Sequence, residues 1–537
     1  MSIQLRLHLG LFALMPLTIL GVSRAQNAAP SSDPAAAASS GPSLENALHL
    51  YRTGKLDAAI QAYTQLENGP QAMFAYTGLS RAYLKKKDPA DAYAAAAKAI
   101  EIAPHAPDAK VAQGEAYFRQ GRIPEAEAEF VEVINSGAQN ARAYLGLARV
   151  SQVISMYRRE KQMIDKAHAL DPADSDITRM WMGTLTLSER IKALQDYLAQ
   201  QTNDDAEART ALERQLVALQ NAPTVPAHQC RMASKIQSTT ADLIPLVEGG
   251  NRIRGYGLEV KFNGKSAHLM LDTGAGGILV DHNLAEKAGI QHVVESSIRG
   301  VGDKGAVGAY VGHADKIQIG DIEFEDCNIE VSDQNRIVGD EGLIGATVFS
   351  RFLVDLDLPN RKLRLSPLPS RPNDTPTEAA LESGQERTPA PQFADRYIAP
   401  EMQNYSRVFR FGHMLLIPTT LNKSATKLFA IDTGALNNLI SPDAAREVTH
   451  VSDDPRVHVK GISGEVKNVY SGDEITLQFA DIQQRNLDIV SIDMKNMSNN
   501  FGTEISGTLG FAMLRMLDIE IDYRDDLVHF DYDWKRF

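Results

Sequence analysis

No excess of positive charge runs through this sequence: 55 Lys and Arg stand against 68 Asp and Glu, a formal charge of −13. That balance offers no electrostatic footprint for a phosphate backbone or an anionic membrane surface, so nucleic acid is set aside as a partner. A long apolar run is missing too. Leu9 to Val22 spans 14 residues and contains Pro16, short of the about 20 needed to cross a bilayer, and no later segment does better, so stable membrane insertion is not expected. There is no Gly-x-Ser-x-Gly, and His268 has no second His at ligand spacing, which argues against a serine-hydrolase elbow and a His-based metal centre. No metal and no organic cofactor are expected. Cysteine is scarce: Cys230 and Cys327 can form one disulfide in an oxidising compartment or remain two buried thiols. What is left is ordinary. With 43% hydrophobic and 23% charged residues over 537 positions, the chain has the composition of a soluble globular protein and room for roughly three or four domains.

Residues 1–25 read as a secretory signal, with Arg6 ahead of the apolar run and Ser23-Arg24-Ala25 as the cleavage site. Removal takes away Arg6 and Arg24 and no acid, so −13 becomes −15. No cysteine lies near that point, which leaves a lipid-anchored lipoprotein unsupported. The protein is expected to be exported, periplasmic or secreted. Residues 26–42 are mostly Ala, Ser and Pro and are expected to form a disordered tether. From Leu44 a period of 34 residues sets in: Pro70, Pro104 and Pro172 share a phase, as do Ala58, Ala92 and Ala126, Tyr76 and Tyr144, Leu79 and Leu147, and Tyr83 and Tyr117. The pattern resembles the tetratricopeptide repeat, a pair of short helices that stack into a superhelix with an inner groove. Residues 43–221 are assigned to these repeats and a helical cap, with a protein partner expected at the groove.

Beyond Pro223 and Pro226 the apolar period changes to two. Leu258, Val260 and Phe262 alternate with Glu259, Lys261 and Asn263, Asn263-Gly264 turns the chain, and an apolar strand returns to Asp272. After a Pro-rich stretch the design recurs. LMLDTGAGGILV at 269–280 matches FAIDTGALNNLI at 429–440, setting Asp272 opposite Asp432. Glycine-rich turns follow, with Gly300 and Gly302 in one copy and Gly461 and Gly464 in the other. Leu343-Ile344-Gly345 matches Thr508-Leu509-Gly510, and terminal hairpins pair Val354 with Ile519 and Leu365 with Phe530 at a constant offset of 165. Residues 300–305 also spell G-x-G-x-x-G, but a dinucleotide loop must leave a strand and open a helix, and these glycines lie inside a β-rich block.

The order of landmarks resembles the retropepsin-like aspartic proteases. The fold class expected is therefore multidomain: an all-α repeat array, then two mainly-β retropepsin-like lobes joined as an intramolecular pseudo-dimer. Boundaries fall at a 222–254 linker, lobe one at 255–367, a Pro-rich linker at 368–404 and lobe two at 405–537. The resemblance implies that Asp272 and Asp432 form the catalytic pair, supported by Thr273, Gly274, Thr433 and Gly434, and that the glycine-rich turns act as flaps. Two carboxyls about 3 Å apart share one proton, so one can deprotonate water while the other polarises the scissile carbonyl. The expected activity is aspartic endopeptidase on a peptide or protein substrate. The rival is a catalytically inactive scaffold of the cell envelope that binds extended peptides by strand addition alongside its repeat module.

Overall fold

The computed structural model describes residues 43–200, 206–221, 230–337, 340–372, 394–533 and 535. The expected signal segment, the tether and most of the Pro-rich linker lie outside them. No helix among the described residues is long and apolar enough to cross a membrane.

Helices run from Leu44–Arg52 to Ala206–Asn221, and the first eight form four antiparallel pairs. The sequence sets their ends: Ser43, Asp88, Asn140 and Asp174 cap helix N-termini through their side-chain oxygens, and Pro70, Pro104 and Pro172 occupy the turns between units. Small residues let neighbouring helices approach. A Cβ on Gly114 would come within 2.6 Å of the Phe130 ring, which Gly146 faces from the next helix. Ions follow the same period. Arg81, Glu115 and Arg149 are 34 apart, as are Asp108, Arg142 and Asp176. Glu115, buried, accepts from Arg81 Nε at 3.0 Å and Arg142 Nε at 2.6 Å, and Arg142 continues to Asp174 at 2.6 Å. Tyr51 of the first helix, partly buried, lies near these charges, and Arg52 reaches Asp171 at 3.5 Å.

The repeats do not hang free of the lobes. Val111, Phe130, Leu147 and Val153 share one core with Phe411, Met414, Leu416, Leu428 and Ile505 of the second lobe. Thr503 Oγ1 donates to the Phe118 carbonyl at 2.9 Å, and the Glu504 N–H to the Arg119 carbonyl at 2.7 Å. Gly121, at φ +76°, lies against the Leu428 side chain. Ser155 donates to buried Asp526.

Each lobe is a sheet built round its aspartate strand. Lys265–Asp272 pairs antiparallel with Arg252–Phe262 and parallel with Gly342–Gly345; Ala425–Asp432 pairs antiparallel with Met414–Leu421 and parallel with Gly507–Gly510. The terminal hairpins meet across the lobe boundary. Phe352–Asp357 pairs antiparallel with Asp518–Asp522, Val354 facing Ile521 and Leu356 facing Ile519, so one six-stranded sheet joins the lobes. Two expected linkers are partly structure instead. Thr239–Asp242 forms the edge of that joining sheet and Ile244–Glu248 pairs with Arg252–Phe262, with Leu243 between them buried in the lobe core. In the second linker, Ala399 and Met402 pack on Leu527, and Asp395 accepts the N–H groups of Arg158 and Arg159.

Cys230 and Cys327 are joined in a disulfide. The short strand Arg231–Met232 pairs with Phe324 and Glu325, which brings the two sulfurs together at the outer edge of the first lobe. The bond fastens the chain leaving the helical cap to that lobe.

Candidate active site

Both aspartates stand at the ends of buried apolar strands, where Leu269 to Leu271 and Leu428 to Ile431 fill the cores of their lobes. Past the carboxylates the chain must turn, and Thr-Gly makes the turn at the junction of the two lobes. Thr273 Oγ1 donates to the Ile431 carbonyl at 2.8 Å and accepts the Thr433 N–H at 3.0 Å; Thr433 Oγ1 donates to the Leu271 carbonyl at 2.8 Å and accepts the Thr273 N–H at 3.0 Å. The exchange is reciprocal, so neither lobe can move its loop without breaking bonds in the other. Both threonines are 3% exposed, a setting in which an unmade hydrogen bond is costly.

The glycines make room for the opposite carboxyl. A Cβ on Gly274 would lie 2.8 Å from Asp432 Cγ, and one on Gly434 would collide with the Asp272 carboxyl. Each carboxylate is also oriented by its own loop: the Gly274 N–H donates to Asp272 Oδ1 at 2.8 Å, and the N–H groups of Gly434 and Ala435 donate to Asp432 Oδ1 at 2.9 and 3.0 Å. Gly345 and Gly510 support the loops from behind, where a side chain would strike the Ala275 and Asn437 carbonyls. Tyr256 of lobe one meets Phe511 of lobe two edge to face at 4.9 Å, tying the aspartate sheets together.

Burial raises the pKa of both carboxyls. For Asp272 the nearby Asp432 charge adds to the shift and places it well above the ordinary range; Asp432 is raised by burial but lowered in part by the Ala435 and Gly434 N–H groups and by a hydrogen bond from Asp272. One proton is therefore held between them. The pair can supply one general base and one hydrogen-bond donor at the same point in space.

The four turn glycines come together as well. Gly300, Val301 and Gly302 cross Gly461 to Gly464, with Ser463 at the centre: its hydroxyl accepts the Gly300 N–H at 3.1 Å and donates to the Gly305 carbonyl at 2.6 Å. Its backbone adds bonds to Lys304 and Val301 at 2.8 and 3.0 Å. Each tip reaches the other lobe. Val301 packs with Leu439 and Val469, and Ile462 with Met270, Leu343 and Ala275. Ser463 had no sequence signal beyond lying between two glycines. His413 is a second residue that the motif does not mark: in the Gly412-His413 turn of lobe two, it packs on Gly276 beside the Asp272 loop, and burial lowers its pKa. His268 instead pairs its backbone with Glu259 on a strand.

Residues 258–351, within the first lobe, match the family model described as "gag-polyprotein putative aspartyl protease". Residues 44–107 and 83–150 match two tetratricopeptide repeat models. Among solved structures, a thermophilic TPR protein of Thermus thermophilus is similar at 19% identity over 33% of this chain and 96% of that one, with a TM-score of 0.28. No curated protein matches the chain. The chain thus joins tetratricopeptide repeats to a retropepsin-like aspartyl protease domain.

Proposed function

We propose that this protein is an exported aspartic endopeptidase. Asp432 in its ionised form takes a proton from a water held between the pair, and the hydroxide attacks the scissile carbonyl. Asp272, carrying the shared proton, hydrogen-bonds that carbonyl as its oxygen gains charge. Asp272 gives that oxygen its proton, so the intermediate is a neutral diol and the pair holds only the proton taken from water. The diol collapses as Asp432 passes that proton to the leaving nitrogen and a diol hydroxyl returns its own to Asp272, which leaves the pair with one proton. The reading rests above all on the reciprocal threonine exchange, which brings two carboxyls of raised pKa to one point between the lobes. Flaps that interlock over the cleft would exclude water once substrate is bound. Export is argued from the Leu9 to Val22 run and its Ser-Arg-Ala site, and a disulfide suits an oxidising compartment.

The test is cleavage of a mixed peptide library by the protein beginning at Gln26, beside Asp272→Asn and Asp432→Asn. Turnover by the unaltered protein and its near-complete loss in both variants, with thermal unfolding unchanged, is expected, since the roles of a coupled pair are not additive. Retained cleavage in Asp432→Asn would mean that the first lobe acts without the second. Tight peptide binding with no cleavage by any form would favour the scaffold reading.

A further inference from the structure

The two lobes do not line the cleft alike. On the second-lobe side, Val457, Val459 and Val466 pack with Val301 and Leu439 in one hydrophobic cluster. Beside the first lobe, Lys304, Val307, Gln334, Arg336, Lys460 and Ile462 border a pocket of about 600 Å³. Its lining includes three cationic side chains and no carboxylate. Of the acids closest in sequence, Asp303 accepts the Lys467 N–H at 2.8 Å, and Glu465, which faces Lys460 across the hairpin, lies 3.0 Å from His458 Nδ1, so neither lines the pocket itself. Lys304 lays its methylene stem along Gly464, which fixes the root of the side chain and leaves its exposed head at the pocket. In a chain of charge −13 a local cluster of the opposite sign draws anionic groups to one place.

The pocket also adjoins the dyad. Ile462, one of its walls, packs with Ala275 and Met270, which flank Asp272 in sequence, and Ile337, next to Arg336, belongs to the same cluster. An extended peptide over the carboxyls would therefore direct a side chain from the first-lobe half of the cleft toward these cations. We propose that the pocket is a subsite for a carboxylate-bearing side chain, so that the cleft selects peptides with a glutamate on its first-lobe side. Val307 and Ile462 would receive the methylene stem while the Lys304 and Lys460 ammonium groups meet the carboxylate. Above about pH 5 a glutamate with a pKa near 4.3 is mostly ionised, so the contact operates in weakly acidic solution.

The selection among substrates rests on the endopeptidase reading, whereas binding does not, and the experiment separates them. Nonapeptides with glutamate scanned through each position, each beside its glutamine counterpart, are bound to Asp272→Asn and offered to the unaltered protein. At one position the glutamate peptide should bind about fivefold more tightly, the worth of a partly exposed charge pair. That preference should vanish in Lys304→Gln/Lys460→Gln added to the same protein and weaken near 1 M salt, where the Debye length falls to about 3 Å. The glutamine peptide should bind the lysine variant unchanged, which shows that the cleft is still folded. Equal binding of both peptides at every position, or a preference that survives the double lysine change, overturns the subsite whatever the cleavage result. A glutamate preference in binding without cleavage by the unaltered protein leaves the subsite standing and removes the peptidase reading.

Discussion

From its own loop each carboxyl of the dyad accepts only backbone N–H groups, because Ala275 and Ala435 follow the Asp-Thr-Gly triplets. A hydroxyl at those positions would donate to the ionised form and lower its pKa. Without it, burial dominates and both values rise. The monoanionic pair should therefore persist to higher pH than pepsin's window of about 1.5 to 4.7, giving a bell-shaped kcat/KM centred between about pH 4.5 and 6.5. Ala275→Ser/Ala435→Ser should move that profile acidward, and an optimum near pH 2 in the unaltered protein would contradict the assignment. Thr433→Val keeps the shape but strands the Thr273 N–H and the Leu271 carbonyl. It should destabilise by about 3 kcal/mol in denaturant melts and lower kcat as the carboxyls lose alignment. The sequence carries this much of the site because Asp-Thr-Gly occurs twice at the ends of apolar strands and the chemistry needs those residue types there. Ser463 and His413 escape such reading, since their partners are backbone groups more than 100 positions away and no local pattern marks them.

Among the helices, charge follows the repeat as faithfully as the apolar positions do. Arg81, Glu115 and Arg149 keep the 34-residue step, a regularity as visible in the sequence as the tyrosines and prolines. Glu115 is held down to about 2, with burial opposing the shift and Arg142 and Arg81 overcoming it. Its folded value lies below the unfolded one, so it stabilises fully above about pH 4.3 and that contribution is lost as pH falls toward 2. Glu115→Gln should cost about 3 kcal/mol at neutral pH, the usual result of breaking a buried ion pair. Glu160 has the opposite sign. It is 8% exposed between the seventh and eighth helices, accepts from Gln152 at 3.0 Å and faces no cation that offsets its burial, which pushes its pKa up to about 7. The folded protein then binds a proton that the unfolded chain has released, and stability falls as pH rises from about 4 through 7. Glu160→Gln should therefore stabilise by about 2 kcal/mol at pH 8 and hardly at all at pH 4, which thermal melts at the two pH values decide. What the helical pattern did not announce is where the array docks. Phe118, Phe130 and Leu428 look like ordinary core residues in sequence, and only their meeting in one cluster shows that the repeats bind the second lobe of their own chain.

At the scale of the whole molecule the lobes are held by the threonine exchange at the cleft and by the six-stranded sheet beneath it, and both contacts carry carboxyls that favour a proton. In the joining sheet Asp355 faces Glu520 and Asp357 faces Asp518 directly across the strand pair, where like charges repel. Arg364 answers Asp355 at 2.8 Å and also Asp357, and Tyr405 donates to Glu520, but Asp518 keeps no cation of its own among these bonds. Burial and the Asp355 and Asp357 charges push Asp518 up to about 7; burial and Asp525 push Asp522 up to about 6. Folded values above the unfolded value near 3.9 mean that the joined lobes bind extra protons between about pH 4 and 7. Stability from this sheet is present below that window and declines as pH rises through it. On the proposed mechanism the dyad works with its shared proton in place, so the pH that keeps the lobes paired should also favour that form of the site. The melting temperature should accordingly be higher at pH 5 than at pH 8. Asp518→Asn, which removes the ionisable group and retains its shape, should raise the melting temperature at pH 8 and flatten the difference without moving the pH profile of kcat/KM, which belongs to Asp272 and Asp432. A melting temperature that climbs toward pH 8, or a variant that shifts the kinetic profile with the melt, would show that the two sets of carboxyls are not separate in the way their positions imply.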